Sequence, residues 1–554
     1  MAYLVYAANS SGIAAACTAA SRGTDVFLIE PGPRIGAMWA SGLTQTDRES
    51  TFAASPSGVS LRWGFLRGFT ESLADYAGLN PDPTKAKNEL LLATTAAVIN
   101  VFQAKLDLYK TRKTVAGKTT GKITVVLNAP LEAVTKNRKG DLIISVKCGG
   151  VTYPAQNFTD CSDEGDLARA AGVSMRIGRE SVSLVGEPTN GVRPVSGTPT
   201  PAYDPATGER WPDLDPRPYQ NRGDADGRTM AFNMRISVTD HADRWLWSKA
   251  LTIPAMAAYY KASDYDNEFR ICLDKVYGTI PGSISNSPMR PIGTYPEYDM
   301  NNGGLLLIGS NWIGRWLDWP YMTFAERQAY KDKYILRTVG LFYDIVANPR
   351  WLTIPRVKKY DDKGVLISDT QIVEETIKYG LIPGLFPDSI VPGMSPHMYV
   401  RESFRIVGQA DQIWDDSVAP EQDIDEPITA YGYPHADAHW VLRAANDDGG
   451  VMFEGGAGLD NGQTIVATFM KWGAVKAREG EARNLTVARC ISGTKMGWIT
   501  VRLEMCWMKI AQACAIAASV ANDNELYTGD LDYQKHLKPA LLAEGAIISL
   551  PRAA

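Results

Sequence analysis

The chain has 554 residues, 45% of them hydrophobic and 21% charged, with a formal net charge of −5. That length exceeds what one hydrophobic core usually fills and predicts two or three domains, while the mild acidity gives no reason to expect nucleic acid or an anionic membrane as a partner. No apolar run reaches spanning length, since Leu90–Phe102 is broken by threonines and an asparagine, and no basic leader precedes the first apolar stretch at Tyr3, so a cytoplasmic setting is expected.

Tyr3–Ala8 reads as a short buried strand. Ser10 or Ser11 can cap a following helix whose face of Ile13, Ala14, Ala16, Cys17 and Ala20 is small enough to lie close on a sheet. Gly23 ends that helix, and Val26–Ile29 is a second apolar strand with Glu30 at its carboxyl end. Strand, tight turn, helix, strand and acid is the order of a dinucleotide-binding fold, with the acid placed to accept ribose hydroxyls. Of the three motif glycines only the last is present, as Gly12; Ala7 and Asn9 hold the first two positions.

Further along, helices are expected at Thr84–Thr111, Thr323–Ala347, Arg502–Asn522 and Asp530–Glu544, and a strand meander at Ile123–Leu127, Leu131–Thr135 and Leu142–Val146. Residues from about 185 to 435 are rich in Pro, Trp, Tyr and Asp with long irregular connections. The fold class expected is therefore α/β: a Rossmann-like domain built from discontinuous segments, 1–184 plus 440–554, with a large inserted α+β cap at 185–439. Seven scattered cysteines without CxxC spacing suit reduced thiols, and no zinc, iron–sulfur or other metal site is expected.

A second signature, NFTDCSDEGDLARAAGVSMRIGRE at Asn157–Glu180, resembles, together with the opening, the FAD-dependent oxidoreductase family that carries a DATGDGDLA segment. Similar blocks follow in order at Phe232–Asp240, Tyr298–Gly304, Arg337–Arg350, Tyr399–Gln409, Ile428–His439, Ala482–Ala518 and Leu537–Ser549. The resemblance implies a glutathione-reductase-like FAD domain and a substrate cap with flavin between them. Carried over, Gly12 packs the first helix, Glu30 holds the adenosine ribose, and Arg34 and Gly36 lie along the pyrophosphate and flavin edge. Asp160 approaches the ribityl–phosphate region, and Ala7, Asp166 and Gln512 fall on further cofactor-lining positions. The helix near Met508 would aim its N-terminal dipole at the flavin pyrimidine.

The departures from the family pattern fall where the cofactor is touched. They are Ala7 for the opening glycine, Gly36–Ala37 for a glycine pair, Cys161–Ser162–Asp163 for ATG, a missing glycine before Arg489, and Ala511–Ala515 for GQAAG. A carboxylate about 4 Å from a phosphate costs on the order of a few kcal/mol at an effective dielectric near 20, so FAD occupancy is expected to be weak or absent.

Asp437 and His439 resemble the family's DxH; on an extended segment both share one face, where Asp437 could orient or charge the imidazole for acid/base chemistry, or the two form a hydrogen-bonded pair at a domain seam. Arg401 and Arg405 could grip a substrate carboxylate or phosphate, or form an ion-pair network with Glu402. Trp312, Trp316, Trp319 and Tyr321 could stack on a ligand or fill the core of the cap. Two functions are consistent with this reading. One is FAD-dependent hydride transfer with a small polar substrate. The other is a cofactor-free pseudoenzyme, a structural or interaction component with protein partners or further copies of itself, for example in a virus particle.

Overall fold

Tyr3–Tyr6 (β1) is withdrawn from solvent on both faces because it is the middle strand of a five-stranded parallel sheet. The computed structural model describes residues 2–44, 46, 49, 60–76, 93–115, 117–193, 201–211, 214–215, 221–266, 268–269, 283–284, 295–301, 310–360, 364, 366–418, 424–433, 439–455 and 465–549. A helix, α1 (Ser10–Ser21), leads from β1 to β2 (Val26–Ile29), which pairs in parallel with it, Tyr3 opposite Val26 and Tyr6 opposite Ile29. The cap of α1 differs from expectation: the carbonyl of the Asn9 side chain accepts the Gly12 N–H at 3.0 Å. Asn9 alone has the extended backbone an N-cap needs (φ −73°, ψ −174°), while both serines already lie inside the helix.

Two helices follow, α2 (Gly64–Tyr76) and α3 (Thr95–Asp107), the second capped by Thr94. The part of the expected Thr84–Thr111 helix before residue 93 lies outside the described residues. Ile123–Val126 (β3) does not open a meander, as its sequence suggested, but pairs in parallel with β2. The chain arrives there from α3, running back alongside β2, and a short β-branched run looks the same in either kind of sheet. The meander is Leu131–Lys136 (β4), Ile143–Cys148 (β5) and Val151–Pro154 (β6). Asn157–Asp160 (β7) then flanks β1 on its other side and runs into a short helix, α4 (Asp166–Ala170).

A second core gathers around Phe232, Trp247, Trp316, Phe342 and Trp351. Its antiparallel sheet pairs Ser283–Ile284, Tyr298–Asn301, Ile236–Thr239 and Gly380–Leu381 in that order. Its long helix, α5 (Phe324–Ala347), begins at a capping box in which Thr323 and Glu326 satisfy each other's backbone N–H groups. Trp316 and Trp319 are buried and Tyr321 is exposed, so most of the aromatic cluster is packing. Trp414, Ile428, Tyr431, Met470 and Trp472 pack into the first core.

The sheet is completed by Leu485–Val487 (β8) beside β7, giving the order β8-β7-β1-β2-β3 from three separate stretches of sequence. The last long helix, α6 (Glu504–Asp523), lies against α1. Both are alanine-rich at the contact, which lets the two backbones approach closely. No helix among the described residues is long and apolar enough to cross a membrane.

Candidate functional site

The turn between β1 and α1 keeps its tight path without its glycine. Ala7 has φ +74°, and Ala37 has φ +42°. Both lie in the left-handed region, which costs a residue with a Cβ roughly 1–2 kcal/mol. Gly12 shows why the path is compulsory: a Cβ there would sit 1.9 Å from the Ala7 carbonyl oxygen. Ala7→Gly should therefore stabilise the fold by up to about 1 kcal/mol, the relief of strain being partly offset by a more flexible unfolded chain. Ala7→Val should destabilise it. Urea unfolding reads both, and an Ala7→Gly variant less stable than the parent would contradict the strain argument.

In front of this turn a cavity of about 360 Å³ opens between the two cores. Glu30, Arg34, Ala7, Asn9, Asp163 and His397 are among its lining. Trp319, Arg327 and Lys331 form the wall contributed by the second core. Glu30 is turned back on its own turn, accepting the Ala8 N–H at 2.8 Å and the Gly32 N–H at 2.9 Å. Burial pushes its carboxyl up to about 7 despite those two donors. Asp160 accepts N–H groups from Ser162 (2.8 Å) and Ala168 (2.9 Å) and the Ser162 hydroxyl (2.6 Å); burial raises it to about 6. Asp166 takes both prongs of Arg327 at 2.7 and 3.0 Å, and Arg34 pairs with Asp388 over the Phe386 ring. Gly36 donates its N–H to the Ala8 carbonyl at 2.7 Å and wedges against Ala40 and Phe102.

The raised Glu30 gives a pH signature. Its folded pKa, about 7, lies above the ordinary 4.5, so the folded state holds the proton more tightly. The resulting stabilisation is complete below the ordinary value and is lost as pH rises through 7. Relative to Glu30→Gln, the parent should lose up to about 3 kcal/mol of unfolding free energy between about pH 4 and pH 8. Parallel stability–pH curves for the two proteins would exclude this.

Beside the cleft, the start of α1 meets the start of α6 through one guanidinium. Arg489 is buried and donates to Asp163 at 2.5 Å, Glu504 at 2.5 Å, the Ser11 hydroxyl at 2.9 Å and the Ser10 hydroxyl at 3.1 Å. The Ser10 hydroxyl also donates to Glu504, which stands in the first turn of α6. Asn9 closes the other side: its Nδ2 donates to the Cys161 carbonyl at 2.5 Å while its Oδ1 takes the Gly12 N–H and the Ser11 hydroxyl. Burial acts to raise the Asp163 carboxyl, but Arg489 and His397, whose Nε2 lies 3.5 Å away, hold it below the usual range. The acid that sequence alone set against a phosphate is thus already paired.

The proposed substrate-side residues are not brought to this cleft. Arg405 is buried on a strand end, bonded to Glu402, Glu180 and the Gly178 carbonyl. Arg401 is buried against the Tyr399 ring and the Ala231 carbonyl, beside a small void it shares with Glu402 and Arg489. His439 is buried and borders neither space. Asp437 lies outside the described residues. Gln512 sits deeper along α6, accepting the Phe65 N–H at 2.5 Å, away from the cleft. Sequence reasoning missed Asn9, His397, Arg489 and Glu504; Asn9 in the middle-glycine position was the one local signal. Among the described residues no group of His, Cys, Asp and Glu could hold a metal ion.

The family profile described as FAD dependent oxidoreductase matches residues 3–541. No curated protein matches the chain. Among solved structures, Mycobacterium smegmatis Sdh1 in complex with UQ1 is similar at 12% identity over 33% of this chain and 41% of that one, with a TM-score of 0.22. Thermovibrio ammonificans THI4 is similar at 14% identity over 31% of this chain and 63% of that one, with a TM-score of 0.21. The tetracycline destructase Tet(51) is similar at 12% identity over 30% of this chain and 40% of that one, with a TM-score of 0.19. The aligned stretches thus span from two fifths to under two thirds of those chains.

Proposed function

This chain belongs to the FAD-dependent oxidoreductase family, and we propose that it serves as a cofactor-free scaffold whose cleft no longer takes FAD. The observation carrying this reading is Arg489, bridged to Asp163 and Glu504 at the mouths of two helices. A dinucleotide pyrophosphate needs the free N–H groups and positive dipole end at the start of α1. Asn9 caps that end, and the nearest cation is neutralised by two carboxylates. The start of α6, where a reduced flavin would need positive potential, carries Glu504 instead. The residues present do not fit the cofactor, and no chemical step is derived through it.

In this role the partner is another protein or further copies of this chain, engaged through the surface of the two-core body. The second reading, hydride transfer between FAD and a small polar substrate, is favoured by the persistence of the cleft and of Glu30 at the end of β2. The visible spectrum of the purified protein separates the two. A colourless protein that releases no FAD on denaturation, and whose melting temperature does not respond to added FAD, supports the scaffold. A yellow protein with stoichiometric FAD overturns it, and His439, Arg401 and Arg405 then become the first residues to replace.

A further inference from the structure

A second cavity, of about 240 Å³, lies among α1, α2, α3 and α6 and shares no lining residue with the cleft. Among its polar lining residues Ser21 donates to the Thr18 carbonyl at 2.7 Å, while Gln512, Thr18 and Lys105 each carry a donor without such a partner among the described residues. Gln512 is fully buried, and because its Oε1 must face the Phe65 N–H, its amide orientation is fixed. The Nε2 on the other side has no hydrogen-bond partner among the described residues. Thr18, 8% exposed on α1, has an Oγ1 in the same condition. Lys105, half-buried near the end of α3, lines the cavity without a carboxylate partner among the described residues. Glu544 stands at the same cavity, but Arg22 neutralises it at 2.5 Å.

Buried donors left unpaired carry a desolvation penalty, so native proteins rarely retain several around one space without something to accept from them. The rest of the wall is apolar: Trp63, held in place by its Nε1 bond to Thr429, with Phe65 and Leu108. The space also depends on an unfavourable residue choice. Gly68 sits inside α2, where glycine is among the worst helix formers, yet a Cβ added there would meet only the Lys105 Nζ, at 3.7 Å. The missing side chain leaves the cavity open beside the ammonium.

We propose that this cavity binds a small carboxylate with an aromatic or short aliphatic body, its oxygens received by Lys105, Gln512 and Thr18 and its apolar part by Trp63 and Phe65. The site is independent of the cleft and of whether FAD binds there.

Titrating the full chain with 4-fluorobenzoate, followed by fluorine NMR, tests it. Saturable binding is expected, weakened about tenfold or more in Lys105→Met and about as much for the neutral analogue 4-fluorobenzyl alcohol. Gly68→Leu, which fills the space, should abolish binding while the melting temperature stays at or above that of the parent; Thr18→Val, a smaller change, should weaken binding if the leucine is not tolerated. Absence of saturable binding overturns the proposal, as does binding unchanged in Lys105→Met and in the folded cavity variant, or equal affinity for the alcohol.

Discussion

Arg489→Met is expected to lower the unfolding free energy by about 3–5 kcal/mol, the range for removing one partner of a buried ion pair. The guanidinium holds two carboxylates from distant parts of the chain, Asp163 and Glu504, each at 2.5 Å. Without it both would be buried near one another with only hydroxyl and imidazole neighbours. The deficit should be pH-dependent. Asp163 is held below the ordinary carboxyl value in the parent, so its contribution is present above 3.8 and disappears as pH falls through its lowered folded value. Parent and variant should therefore draw together in acid, where the Asp163 carboxyl is protonated. Arg489→Lys should recover only part of the loss, because one ammonium cannot serve Asp163, Glu504, Ser10 and Ser11 together. Adding Asp163→Asn and Glu504→Gln to Arg489→Met should restore stability by removing the unpaired charges. Urea unfolding at neutral and acid pH checks the series. A deficit under about 1 kcal/mol would place the network among solvated surface pairs.

That network also shows where the sequence is silent. The opening strand, helix and second strand were legible because their signal is local: apolar run, Ala-rich face, Gly12, apolar run, Glu30. The α5 start was legible for the same reason, its capping box spanning only Thr323 to Glu326. Ile123–Val126 was recognisable as a strand but not as a parallel one, since pairing direction depends on how α3 returns the chain to the sheet. Arg489 bonds Ser11 across 478 positions, and nothing near either residue announces the other. Asp163 could be read as an acid replacing a glycine, which made it a source of repulsion; its neutralisation by Arg489 and His397 exists only in three dimensions. The Arg401–Arg405 spacing suggested a shared grip, yet the two side chains part to different buried partners because the segment is neither helix nor continuous strand.

Reopening the nucleotide end should be possible with Ala7→Gly, Asn9→Gly and Asp163→Gly combined, and the expected gain in FAD affinity is roughly thousandfold, equivalent to about 4 kcal/mol. Each change removes one obstacle. Asn9→Gly uncovers the Gly12 N–H and the dipole end of α1, at a cost of a few tenths of a kcal/mol as a cap. Ala7→Gly keeps the left-handed turn at φ +74° and takes away a methyl that borders the cleft. Asp163→Gly removes a carboxylate from the phosphate position while leaving Arg489 paired with Glu504, so no buried charge is orphaned. Equilibrium dialysis with FAD, on protein shown to be folded, measures the outcome. A folded triple variant that still fails to bind would mean that the self-capped helix ends are not what excludes the cofactor. The obstacle would then lie elsewhere, the small void bordered by Trp498, Trp507, Arg401 and Arg502 being the next place to open. A variant that turns yellow, from a parent that is colourless, would locate the exclusion in Asn9, Ala7 and Asp163, and with it the difference between this chain and the flavoenzymes whose fold it shares.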